Sequence, residues 1–298
     1  RVGKWYCHMN KQFNQFRFWA IGLATSWLAL FVLVPSLMVL VTSFLTRDAD
    51  VLLQYQFSLE GWKSVFEPSF ISLLWDSLFM SLLTSMICLT IAYPFVMCLM
   101  GLPQRWRGVV LFLLIVPFWT NSLVRIYAIQ FLLGKKGLIN EGLQFIGLID
   151  KPLDLLYSQF AVIFGLSYIL LPFMILPIYS SMERLDFKLL DAAKDLGANA
   201  MHRLLRITLP LTLPGIIAGC LMVVLPAMGM FFVADLLGGS KHALLGNVIK
   251  NQFIQTRDWP FGAALSILMI LLLSLMLWLY YRATKMSNRA GGINDSNF

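Results

Sequence analysis

The sequence predicts an all-α polytopic membrane protein with six transmembrane helices, and three observations carry that expectation. Of 298 residues, 59% are hydrophobic and only 13% are charged, whereas a soluble domain carries roughly 25% charged residues and needs them to cover its surface. Uncharged runs long enough for the ~20 residues of a spanning helix recur along the chain. The charges between those runs are sorted by sign, as they are in oriented membrane proteins.

In chain order the uncharged runs fall between Arg17 and Arg47, Asp76 and Arg105, Asp154 and Glu183, Arg206 and Asp235, and Asp258 and Arg282. Their lengths are 29, 28, 28, 28 and 23 residues. A sixth, Gly108 to Val124, holds 17 residues and continues past the single Arg125 to Gly134. Spans are therefore expected at 19–43, 77–100, 109–131, 160–180, 213–233 and 261–281. The first run is too long, and lacks the small-residue cleavage site, to be a signal peptide, so it is expected to stay as a helix. Arg1 to His8 precede the first methionine, Met9, and are assigned no function.

An even number of spans puts both termini on one side. The N-terminus, the 101–108 and 182–212 loops and the tail after 281 together hold 14 basic and 5 acidic residues, against 8 basic and 10 acidic in the remaining connections. Both termini are thus expected in the cytoplasm. The net charge of +8 follows from this orientation, and nucleic acid is not implied, because no polar face gathers the basic residues with aromatics. Among the outer connections, Ser58 to Phe66 reads as a short helix, and Leu138, Leu143, Phe145, Ile146 and Leu148 as an amphipathic one at the interface.

Chemistry of the usual kinds is not encoded. Cys88, Cys98 and Cys220 lie in apolar runs, and His8, His202 and His242 have no second ligand at metal spacing, so neither disulfides nor a metal site is expected. A phosphate-cradling loop needs G-x-x-x-x-G-K-[S/T], and Gly134-Lys135 is followed by Lys136 with no glycine five residues before Gly134. No cofactor is therefore expected in this chain.

The informative loop is 182–212. Asp186 reads as a helix N-cap, Gly197 as the residue just past a helix end, and Pro210 as the stop of a second short helix. Leu189, Ala192, Ala193 and Leu196 recur at i, i+3, i+4 and i+7 and make a small apolar face suited to another protein's surface. Asp191-Ala192-Ala193, Gly197, Ile207 and Leu209-Pro210 reproduce at full spacing the EAA loop of ABC importer permeases, with Asp for Glu at 191 as the only departure. The similarity extends over Val116 to Tyr127, Leu209 to Cys220 and Arg257 to Gly262, and covers nearly the whole chain from about Trp27 to Lys285. In these stretches the sequence resembles the B-type permease subunits of bacterial spermidine/putrescine importers.

That resemblance implies a type I importer permease fold in the bacterial inner membrane. It implies a permease unit over 73–281 after the first span, with 1–18 and 282–298 as cytoplasmic ends. It also implies four kinds of partner: a cytoplasmic ATPase dimer that binds the ATP and magnesium, a second homologous permease, a periplasmic polyamine-binding protein and the lipid bilayer. Asp191, Ala192, Ala193, Gly197, Ile207, Leu209 and Pro210 would form the coupling segment. The same loop spacing suits importers of thiamine, ferric iron or sulfate, and a secondary carrier is a further alternative.

A polycation pathway calls for carboxylates and aromatic faces. Phe231, Phe232 and Asp235 stand three and four residues apart at the outer end of the fifth span, so one helix face can hold all three. Arg125 comes 18 residues after Arg107, about 27 Å along a helix, which places it near the outer headgroups, snorkelling, paired with an acid, or gating. Asn121, one turn deeper, either hydrogen-bonds across helices or meets substrate amines, and Trp119 is a weaker pathway candidate. Gly215 and Gly219 form a G-x-x-x-G pair that fits close helix packing.

Overall fold

The computed structural model describes residues 2–47, 54–186, 188–239 and 243–290. The chain runs α1 Val2–Thr42, β1 Leu45–Thr46, β2 Gln54–Phe57, α2 Glu60–Val65, α3 Pro68–Met100, α4 Gln104–Ile115, α5 Ser122–Leu133, α6 Leu138–Phe145 and α7 Gln159–Glu183. It continues as α8 Lys188–Asp195, α9 Ala200–Arg203, α10 Leu209–Gly229, α11 Phe231–Val233, α12 Leu245–Ile254 and α13 Trp259–Ala290. Five helical stretches are long and apolar enough to cross a membrane, and a bent pair, Gln104–Trp119 with Ser122–Phe145, makes a sixth span if it is taken as one. α2 and α6 stand where the outer connections were expected to be helical. The antiparallel pairing of β1 with β2, Leu45 opposite Phe57, was not anticipated.

The third span departs from expectation. Residues 109–131 do not form one helix: α4 passes into a 3₁₀ turn at Val116–Trp119, Thr120 is extended, and the chain resumes as α5 after a bend of 91°. Local chemistry makes the break. Pro117 has no N–H to continue the α ladder, Thr120 Oγ1 donates to the Pro117 carbonyl at 2.6 Å, and the Asn121 side chain accepts the Leu123 N–H at 2.9 Å, starting a new helix with its own cap.

The core is built where α3, α7 and α10 meet. Cys88, Val96, Leu166, Leu170, Met174, Ile178, Val223 and Ala227 are buried together there. Glycine lets α10 approach α7 closely, as the G-x-x-x-G pair predicted: a Cβ on Gly215 would lie 2.6 Å from the Pro177 carbonyl oxygen, and one on Gly219 2.7 Å from Met174 Sδ. Gly215→Ala should therefore cost about 1–3 kcal/mol by forcing the helices apart. Gly22→Ala, with nothing within 4 Å of the added carbon, should cost nothing. Thermal unfolding of the two purified variants in detergent checks the contrast. Outside the core, α1 exposes Leu23, Phe31 and Met38, the apolar surface a helix presents to lipid.

A second, smaller cluster of Val65, Leu245, Phe261 and Leu265 ties α2 and α12 to α13. α12 is also pinned at its start, where the Leu245 N–H donates to Ser77 Oγ at 2.8 Å and the Leu244 N–H to Asn247 Oδ1 at 3.0 Å.

Candidate functional site: a coupling loop and a cation site

The 182–212 loop is assembled by three local devices. Asp186 Oδ1 accepts the Lys188 N–H at 3.0 Å and starts α8. At its end Gly197 sits at φ +83°, with its N–H donating to the Lys194 carbonyl and the Ala198 N–H to the Ala193 carbonyl. This paired closure needs a left-handed residue, which glycine supplies without strain. Asn199 Oδ1 then accepts the His202 N–H at 2.8 Å and begins α9.

Pro210 does not end a short helix. From Ala200 to Gly229 the chain is helical throughout, and the turn before the proline widens into a π-helical segment, Leu204–Thr208. The wider turn absorbs the hydrogen bond that proline cannot make. The second half of the loop is thus continuous with the fifth span.

α8 has two apolar sides. Leu190 faces the bundle and lines, with Met97, Met100, Met182, Leu185 and Thr208, a cavity of about 110 Å³. On the other side Leu189 is 50% and Leu196 89% exposed, and none of the residues of α8 is buried. Asp191, Ala192, Gly197, Leu209 and Pro210 are exposed as well, while Ala193 and Ile207 are half-buried.

At the other end of α10 the expected uninterrupted helix to Val233 is broken. Met230 leaves the helical region, α11 lasts three residues, and Ala234–Gly238 is π-helical. A close approach accompanies the break: a Cβ on Gly246 would stand 2.9 Å from the Gly229 carbonyl oxygen. Phe231 and Asp235 both lie beyond the break, in one helical stretch. Asp235 Oδ1 accepts from Asn247 Nδ2 and Asp235 Oδ2 from Lys250 Nζ, and that ammonium lies 5.5 Å from the Phe231 ring centroid. Asn247 Nδ2 donates a second bond to the Phe231 carbonyl at 2.9 Å. Phe232 stands perpendicular to Phe231 and turns into the main core.

Sequence reasoning missed Lys250 and Asn247. Both lie on α12, one turn apart and 12 and 15 residues after Asp235, so no local spacing could reveal them.

Among the described residues Asn121, Trp119 and Arg125 make no hydrogen bond, ion pair or ring contact with the Asp235 cluster. Asn121 acts as the cap of α5. Trp119 is 75% exposed and meets the edge of Phe112. The straight-helix distance from Arg107 to Arg125 does not apply, because the 91° bend lies between them. Its guanidinium stacks 4.6 Å over Phe118, which in turn meets Phe173 edge-on, so a cation–π contact spans the break. No acid pairs with Arg125 among the described residues.

Comparison with known proteins places this geometry. Residues 77–288 match the family described as "Binding-protein-dependent transport system inner membrane component". The spermidine/putrescine transport system permease protein PotB of Haemophilus influenzae is 50% identical over 276 residues, covering 93% of this chain and 96% of that one. PotB of Escherichia coli K12 is 52% identical over 263 residues, covering 88% and 96%. Among solved structures, a chain of the bacterial alginate ABC transporter in complex with its pentasaccharide-bound periplasmic protein superposes with a TM-score of 0.74 at 17% identity, covering 95% of this chain and 98% of that one; at that identity the likeness speaks to the fold. Five long apolar helices and a bent pair among the described residues, an exposed helical loop before α10, and the family match lead to one conclusion: this chain belongs to the inner-membrane permease components of binding-protein-dependent transport systems.

Proposed function

We propose that this chain is a membrane-spanning subunit of an ATP-driven importer that moves spermidine and putrescine from periplasm to cytoplasm by alternating access. The observation that carries the reading is the Asp235–Phe231 site. There a primary alkylammonium, that of Lys250, rests between a carboxylate and an aromatic face, the chemistry a polyamine terminus needs. The names of the two relatives support the same substrate.

The motor is a separate ATPase dimer, which holds ATP and magnesium. Its clefts receive the exposed face of α8, with Asp191 to Gly197 as the docking element. Because α9 and α10 form one helical stretch, displacement of the loop carries into the core of the bundle rather than being absorbed at a hinge. A second, homologous permease completes the pathway, and a periplasmic binding protein delivers substrate. Both termini lie in the cytoplasm, following the excess of basic residues on that side.

Reconstitution in liposomes with the companion permease, the ATPase and the binding protein tests this. Labelled spermidine should accumulate only with ATP inside and all four components present. Uptake by this chain alone, driven by an ion gradient, would overturn the reading in favour of a secondary carrier, and ATP-dependent uptake of thiamine, iron or sulfate in place of spermidine would overturn the substrate.

A further inference from the structure

We infer that the groove between α3 and α7 seats a transmembrane helix of the companion permease, one that carries a hydrogen-bonding side chain at mid-membrane to meet Ser167. The inference rests on the two-permease reading above and adds to it the face on which the permeases join.

The groove is an open cavity of about 620 Å³. Phe79, Leu83 and Ile91 of α3 form one wall, and Phe160, Phe164 and Ser167 of α7 the other. Phe79, Ile91 and Phe160 stand exposed along it, and the rings of Phe160 and Phe164 stack with centroids 6.1 Å apart. Apolar walls of this kind suit lipid as well as protein.

Ser167 decides between the two. It is only 8% exposed, yet its Oγ has no hydrogen-bond partner among the described residues. Other hydroxyls in the spans are satisfied within their own helix: Ser77 donates to the Leu73 carbonyl, Thr84 to the Met80 carbonyl and Ser266 to the Gly262 carbonyl, each at 2.8 Å. Ser167 makes no such bond. Its own carbonyl accepts from Cys88 Sγ of α3 at 3.6 Å, which ties the residue to the α3 side with its hydroxyl still unmet.

An unmet polar group is costly in hydrocarbon, where no water relieves it. Ser167 stands one turn from Leu171, the midpoint of α7, well inside a hydrocarbon core of ~30 Å. The polar groups of a phospholipid lie outside that core, so an acyl chain would fill the groove and leave the hydroxyl bare. A neighbouring helix brings side chains to that depth, and hydroxyl, amide or carboxyl groups bond across helices there. The chemistry therefore calls for an apolar helix with one polar side chain opposite Ser167, which a second permease supplies and lipid does not.

Ser167→Ala separates the possibilities by effects of opposite kind. It removes a hydroxyl that nothing within the chain satisfies, so the purified variant should unfold at the wild-type temperature or above it. In the assembled pair of permeases the same change should weaken association about threefold or more, read from dissociation of the purified pair on dilution in detergent. Independently, p-benzoylphenylalanine in place of Phe164 should photo-crosslink, in the complete transporter, to an apolar segment of the companion permease. Adducts with phospholipid alone, or none, would overturn the inference. So would wild-type association of Ser167→Ala, and so would destabilisation of the isolated variant, which would mark the hydroxyl as part of the internal packing. Failure of the wild-type chain to form any complex with a second homologous permease would instead overturn the two-permease reading, so the two failures are distinguishable.

Discussion

Leu196→Asp should weaken binding of the partner ATPase by about 30-fold or more while the permease folds as before. Leu196 is 89% exposed just past the end of α8, so its replacement removes almost no contact within the chain, and an exposed substitution of this kind shifts stability by less than about 0.5 kcal/mol. In a complex the same side chain would be covered. Burying a leucine contributes about 1.5–3 kcal/mol, and about 2 kcal/mol already corresponds to that factor of 30; an uncompensated carboxylate in the interface adds to the loss. Gly197→Ala should have a smaller effect of a different kind. No atom lies within 4 Å of the added carbon, but the left-handed backbone at φ +83° strains an alanine by roughly 1–2 kcal/mol and tilts α8 against α9. Titration of the purified ATPase onto permease in nanodiscs, with thermal unfolding in parallel, measures both. Wild-type affinity in Leu196→Asp would show that this face is not where the motor docks.

The parts of this molecule that the sequence reveals are those in which a local rule decides the outcome. Uncharged runs place α1, α3, α7, α10 and α13, because burial in lipid tolerates few charges wherever a helix sits. Capping chemistry at Asp186 and Gly197 is equally local, and both residues act as their types suggest. The third span shows where hydropathy alone misleads: Leu111 to Leu132 carries a single charge, Arg125, yet Pro117 and the Asn121 cap divide it, and hydropathy does not register a bend. The signal was present in Thr120-Asn121-Ser122, a helix-start signature inside an apolar run. Pro210 misleads in the opposite sense, since a π-widened turn carries the helix through it. Phe231 and Asp235 both lie beyond the break at Met230 in one helical stretch, so the four-residue spacing that grouped them still applies. Asn247 adds a bond to each from α12, a tertiary contact that no periodicity encodes. Arg125 was placed by counting residues along a straight helix, and the bend invalidates the count.

Asp235→Asn should reduce spermidine uptake by about 10- to 100-fold with the transporter still assembled. The range follows from the contact removed. A hydrogen bond to a charged group contributes about 1.5–3 kcal/mol, and each 1.36 kcal/mol is a factor of ten. Folding loses much less, because the Asp235–Lys250 pair is partly exposed on both sides and pairs in such settings contribute about 0–1 kcal/mol. Asn also keeps a carbonyl oxygen to accept the Asn247 amide, so the contact that orients the residue can persist. What the variant lacks is the negative charge that a substrate ammonium would pair with. The remaining lysine would then add a positive charge to a cation path, which is why Asp235→Asn/Lys250→Met is the informative companion. If repulsion by the stranded ammonium were the whole defect, the double variant would transport normally. If the carboxylate itself receives substrate, the double variant should stay at least about tenfold below wild type. Initial rates of labelled spermidine uptake at saturating binding protein, normalised to assembled complex, separate the two cases, and wild-type rates in Asp235→Asn alone would remove this carboxylate from the substrate pathway.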